Sequence, residues 1–374
     1  MLASIVIGWA AELLAVRLSA GIALAILAWL QTSPEFAVEA TIAWSQDSNL
    51  ALANLTGSLR LLMGFGWPLV FFIHWLSQKR RKVQVRDVTL QPSFAVEAAG
   101  LAIPVLYFLV IWAKGTWTGI DGIILCSFYA LYFWMLNYER KVGVKVPEKA
   151  EEGDDADEPW VVRKVLHFTP RWQKLAVLGM FVFGGVTLLY TVHPFVESLK
   201  VAAFALGVSE FVFIQWVAPI ASEFPEKITA FNWARNAKKV PMAVVNMLSS
   251  VTSQWTLLAG LVPIIFWMSA GHMVTIELTD FQRTEILLTI AQSAVAVAFL
   301  ADLKIKNYEA FGLFVLWLAQ LLVPHLREQL VIVYFAWFLL ESIRLALNPS
   351  QCLAWITLRK IFFPSKRGQA GGVS

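Results

Sequence analysis

Apolar residues fall into blocks about the length of a membrane-crossing helix, separated by short polar segments, and the pattern runs almost from end to end. A helix needs about 20 apolar residues to span a hydrocarbon core. Eleven such spans are read at 1–16, 18–44, 50–78, 92–113, 117–137, 175–199, 207–232, 241–270, 284–303, 308–324 and 328–348. Within them the strict alternation of an outer-membrane strand is missing, and in lipid only helices or closed barrels satisfy every backbone polar group. The expected fold is therefore all-α, a polytopic membrane helix bundle of about 10–11 transmembrane helices. The first span is short. Its start lacks the Lys or Arg that opens a secretory signal, so it is read as a helix, with a signal peptide as the alternative.

Charge is informative once it is placed on this frame. The chain has 374 residues, 58% of them hydrophobic, and a formal charge of +4. Threading the spans alternately puts 23 of the 30 Lys and Arg residues on one side, including Lys79, Arg80, Arg81 and Lys82, and only Lys114, Lys200, Arg283 and Arg327 on the other. Such asymmetry reports orientation rather than nucleic-acid binding, so no nucleic-acid partner is expected. It places the amino terminus outside and residues 349–374 as a basic cytoplasmic tail, with a plasma or inner membrane as the location. Trp44, Trp75, Trp112, Trp117 and Trp267 fall near helix ends, as aromatic belts do.

Residues 138–174 hold the acidic run EKAEEGDDADE, too poor in apolar residues to fold alone, and are read as a charged cytoplasmic linker. This divides the chain into a first half at 1–137 and a second half at 175–348. The run lacks the ligand spacing and central glycine of an EF-hand loop. Cys126 and Cys352 show no disulfide or zinc spacing, and the five histidines do not cluster. Glycine-rich phosphate loops and nucleophile elbows are missing too, so neither an enzyme nor a cofactor is expected.

The halves share internal punctuation. LQTSPEFAVEA followed by ALANLTGSLRLL recurs as ASEFPEKITAF followed by AVVNMLSSVTSQ, at an offset of 191 or 192 residues. Pro34 and Glu35 pair with Pro225 and Glu226, Asn54 with Asn246, and Ser58 with Ser250. One span precedes the first copy and six precede the second, so equivalent helices cross the bilayer in opposite directions. Repeats of about 18–78 and 207–270 are thus inverted, an architecture whose broken helices meet near the midplane around a substrate. Each proline removes the partner of the carbonyl four residues earlier, at Leu30 and Ala221. Those carbonyls, with the nearby Ser, Thr, Gln and Glu oxygens, suit a hard cation.

At these residues the chain resembles the sodium/calcium exchanger superfamily of cation/calcium antiporters, whose two α-repeats each carry a G-T-S-x-P-E break followed by a G-N-x-x-G-S helix. The likeness covers about 10–75 and 195–265. It implies antiport of Ca2+ or another cation against Na+ or H+ by alternating access, with the transported ions and the lipid bilayer as partners. Carried over by position, it implies Glu35 and Glu226 as the main carboxylate ligands. Gln31, Thr32, Ser222 and Glu223 take the hydroxyl positions of the breaks, and Ser58 and Ser250 the helix serines. Asn54 and Asn246 either bind directly or tie the helix pair together. Where the family has Asn or Asp four residues after each serine, this chain has Leu62 and Gln254.

Two bases inside spans stand apart from the family pattern. Lys227 lies one turn after Glu223, the spacing of a helical ion pair. Arg60 is expected to pair with Glu35, Glu39 or Glu226 as a built-in counter-charge. Glu39 is read as a solvated residue near the outer end of its helix, and Glu341 with Arg344 as a structural pair. Together with Leu62 and Gln254, these bases leave two further readings: an exchanger-fold scaffold or sensor that does not transport, and a carrier of an anion or organic solute.

Overall fold

In a computed structural model the described residues are 2–15, 32–141 and 160–363. Every expected span has a helical counterpart. Helices α1 (Leu2–Ala15), α2 (Ser33–Trp44), α3 (Ser48–Leu61), α4 (Trp67–Arg80), α5 (Ala95–Lys114) and α6 (Gly119–Lys141) build the first half. A short α7 (Trp160–Leu166) leads into the long α8 (Pro170–Ala205). The second half follows with α9 (Glu210–Ser222), α10 (Phe224–Ala234), α11 (Val240–Ser253), α12 (Ala259–Ala270), α13 (Asp280–Leu300) and α14 (Asn307–Leu322). Helices α15 (Arg327–Leu347) and α16 (Leu353–Phe362) close the chain. Among the described residues, seven continuous helical segments are long and apolar enough to cross a membrane by themselves.

Local signals fix the ends. Asp47 accepts from the Leu50 amide at 3.0 Å and caps α3, Ser209 accepts from Val212 at 3.3 Å and caps α9, and Thr279 forms a capping box with Gln282 before α13. Gly115 and Gly271, both in the left-handed region, terminate α5 and α12.

The inverted repeat extends well beyond the two motifs. Helix α2 starts after Thr32, and α10 starts after Glu223, the position 191 residues later. A π-helical turn at Leu62–Gly66 joins α3 to α4, and another at Gln254–Leu258 joins α11 to α12, an offset of 192. Two short antiparallel ladders then tie the halves together. Strand β1 (Asp87–Thr89) pairs with β4 (Lys304–Lys306), and β2 (Thr116–Thr118) with β3 (Thr275–Glu277). β1 maps onto β3, and β2 onto β4, with one common shift of 188 residues. The turn at Gly115 maps onto Leu303, which also has positive φ. Each ladder joins two connections that alternate threading puts on one face of the bilayer, so the pairing agrees with the span count.

The expected linker and the expected tail are each more ordered in part than their charge suggested. The segment 138–174 is helical at both edges, because Val162 and Val165 of α7 bury against Leu13 of α1. Its acidic run lies outside the described residues. Of the segment 349–374, α16 packs Ala354, Leu358 and Ile361 inward and its Ala354 amide donates to Ala301 at 3.0 Å. Trp117 is a further departure: its place opposite Ile276 in the second ladder turns it inward, edge-on to Phe108, rather than toward an interfacial belt.

The core lies around the two helices with π turns. Of the most apolar window in Ser48–Arg80 and in Val240–Ala270, 67% is buried, against 11% for α8 and 22% for α15, whose exposed apolar sides are fit to meet lipid. Helix α3 crosses α9 at Gly57, where an added Cβ would lie 1.8 Å from the Gln215 carbonyl oxygen. That clash is with backbone, so no rotamer change relieves it. Gly57→Ala should therefore cost at least the upper end of the overpacking range, about 3 kcal/mol, and lower the thermal midpoint in detergent. An unchanged midpoint would contradict this crossing.

Candidate ion-binding site

The close crossing at Gly57 brings the next residue, Ser58, to the end of α9. Its hydroxyl donates to Glu223 Oε1, at the break between α9 and α10. Gln254, the first residue of the second π turn, donates from Nε2 to the same Oε1 at 3.2 Å and to Glu35 Oε2 at 2.6 Å. A π turn inserts one residue and re-aims the side chains after it, which explains why such turns gather at functional positions. One amide nitrogen thus bridges a carboxylate of the first half and one of the second. Glu35 is 0% and Glu223 1% exposed.

Glu35, Glu223, Ser58 and Gln254 come together. Thr32 is buried at the start of α2, and Asn246 and Ser250 are buried in α11. Ser222 turns its hydroxyl back to the Ala218 carbonyl at 3.0 Å, as a helical serine does. Gln31 lies outside the described residues, as does the side chain of Glu226, whose backbone is in the first turn of α10. Asn54 donates to Glu39 Oε2 at 2.6 Å, which ties α3 to α2. Glu39 is therefore buried, not solvated, because α3 covers the outer turn of α2.

Lys227 meets Glu223 as its spacing suggested, its ammonium donating to Oε2. The expectation for Arg60 is corrected. Its guanidinium pairs with Glu285 Oε2 at 2.5 Å, and donates to Gln320 Oε1 at 3.1 Å. Arg327 pairs with the other oxygen of Glu285, and Gln215 donates to Oε2 at 2.8 Å. The sequence reading missed Glu285 because the span was started one residue before it, which made it a helix-end residue. The ladder offset of 188 carries the signal: it maps Glu285 onto Glu97, and both are buried within the first two turns of their helices. The Glu341 and Arg344 pair forms at 2.7 Å.

Chemically, the centre offers two carboxylates, a hydroxyl and an amide oxygen. Gln254 Oε1 is buried and has no hydrogen-bond donor among the described residues. Rotation of this amide exchanges its donor for an acceptor facing the carboxylates. Among the described residues no group of three or more His, Cys, Asp or Glu side chains is placed to hold a metal.

A family model described as sodium/calcium exchanger protein matches residues 1–137 and 176–324. The chain belongs to the sodium/calcium exchanger family. Among solved structures, the H+/Ca2+ exchanger CAX is 32% identical, with a TM-score of 0.83 over 96% of this chain and 88% of that one. Native YfkE is 15% identical with a TM-score of 0.60 over 89% of this chain and 88% of that one. The sodium-calcium exchanger NCX_Mj is 15% identical with a TM-score of 0.54 over 86% and 93%. These last two speak for the exchanger fold alone. Among curated proteins none matches. As a member of the family the chain is an integral membrane cation antiporter, a transporter and not an enzyme. The anion reading rested partly on Arg60, whose charge is engaged by Glu285 inside the protein.

Proposed function

We propose that this exchanger moves calcium against protons, with Glu35 and Glu223 as the charged ligands, Ser58 and Gln254 as neutral oxygen ligands, and Glu226 as a further acidic ligand. The observation that carries the reading is the shared amide of Gln254, which draws one buried carboxylate from each half to a single point. A buried carboxylate takes a divalent ion or a proton at the same oxygens, so at an acid such as Glu35 the two substrates exclude each other, as antiport requires. Leu62 and Gln254, where the family pattern has Asn or Asp, leave fewer anionic oxygens for additional sodium ions. The likeness to the H+/Ca2+ exchanger supports the same choice.

In this reading the outer helices of the halves at 1–137 and 175–348 rock or slide about the central repeats. The amino terminus is outside, and the face carrying Lys79, Arg80, Arg81 and Lys82 is cytoplasmic, in a plasma or inner membrane. The test is calcium uptake into vesicles reconstituted with the protein, under an imposed proton or sodium gradient. Uptake driven by the proton gradient and indifferent to sodium is expected. Uptake driven by sodium alone would replace protons by sodium, and no gradient-driven uptake would overturn the reading.

A further inference from the structure

Lys227 is not part of the family pattern, yet it reaches the centre of the site. It lies one turn beyond Glu223, is 5% exposed, and places its ammonium on Glu223 Oε2. The other oxygen of that carboxylate accepts from Ser58 and Gln254. Both oxygens of Glu223 are thus satisfied by donors of the protein itself. A calcium ion that takes Glu223 as a ligand must displace at least one of them. The hydroxyl can turn its lone pairs to the ion and the amide can rotate, whereas the ammonium has no acceptor to offer and repels any cation.

Resting on the calcium reading of this site, we propose that Lys227 is a tethered competitor of the transported ion, seated on Glu223 when calcium is absent and displaced when calcium binds. A lysine suits this task, being a compact charge on a flexible stem of four carbons. The site has to change its accessibility in the calcium-free half of the cycle as well. A bare carboxylate resists passage through a dry interior, because burying an unpaired charge is costly. The ammonium removes that obstacle at Glu223. Lys227 therefore weakens calcium binding and speeds the calcium-free return step.

The sign of the effect separates this role from a structural ion pair, whose loss would only loosen the site. The experiment compares wild type, Lys227→Met and Lys227→Arg in two measurements: equilibrium binding of radiolabelled calcium, and calcium–calcium exchange beside net gradient-driven uptake in vesicles. Lys227→Met is expected to bind calcium about tenfold or more tightly, since a unit charge is removed within a few ångström of the ion. It should keep calcium–calcium exchange, which shows that it folds, while net uptake falls at least as far as affinity rises. Lys227→Arg keeps the positive charge and should not gain calcium affinity. Equal or weaker binding by Lys227→Met would overturn the proposal, as would equal slowing of both kinds of flux. Absence of calcium uptake by wild type would remove the calcium reading and this role with it. Wild-type uptake with unaltered affinity in Lys227→Met would remove this role alone.

Discussion

Replacing Arg60 with alanine is expected to destabilise the protein by about 3–5 kcal/mol, the usual cost of breaking a buried ion pair by removing one partner. Arg60 and Glu285 are 1% and 0% exposed, so water cannot take the place of the missing guanidinium. Arg327 still pairs with Glu285 but is itself partly exposed and serves only one oxygen. The substitution also removes the bond to Gln320 and the cation placed 5.4 Å from the ring centre of Trp216. Adding Glu285→Gln to Arg60→Met should recover much of the loss, because the buried carboxylate disappears with its counter-charge. Unfolding of purified protein in detergent checks both statements. Equal stability of Arg60→Ala and wild type would show that the pair does not hold these helices together.

The largest effect on transport is expected at the two bridged acids. Glu35→Gln and Glu223→Gln should each lower calcium uptake by more than about 100-fold, exceeding the 10–100-fold cost of removing a residue that merely supports a metal ligand. The variants should differ in stability. Glu35→Gln keeps a side chain of the same shape beside Gln254. Glu223→Gln leaves the Lys227 ammonium buried without its carboxylate, so it should also unfold more easily. Glu223→Gln combined with Lys227→Met should regain stability without regaining uptake. Near-normal uptake by either single variant would exclude that acid from the ligand set.

Legibility in the sequence followed physical range. The spans were readable because a bilayer demands long apolar runs, and the charge asymmetry between loops checked their number. The start of α2 and the break between α9 and α10 were readable because proline acts locally, at Pro34 and Pro225. Lys227 meeting Glu223 also follows from helical spacing alone. The Arg60 partner was not legible, since Glu285 lies 225 residues away and only tertiary packing selects it over Glu35 or Glu39. Nor was the role of Gln254. In sequence it looks like a family acid lost, while the π turn it opens aims its amide between two acids. The strand ladders, each strand three residues long, are too short to carry a pattern against the surrounding apolar helices. Order in α7 and α16 was hidden beneath the charge of the segments that contain them.

The most direct measurement is the position of the cation itself. Crystals of the purified protein grown with calcium, or with manganese as an anomalous scatterer, should contain an ion peak between Glu35 and Glu223. Carboxylate, Ser58 and Gln254 oxygens should lie at about 2.3–2.6 Å in the calcium form, with the Lys227 ammonium moved off Glu223. A peak remote from both acids, with Gln254 Nε2 still bridging them, would contradict the account.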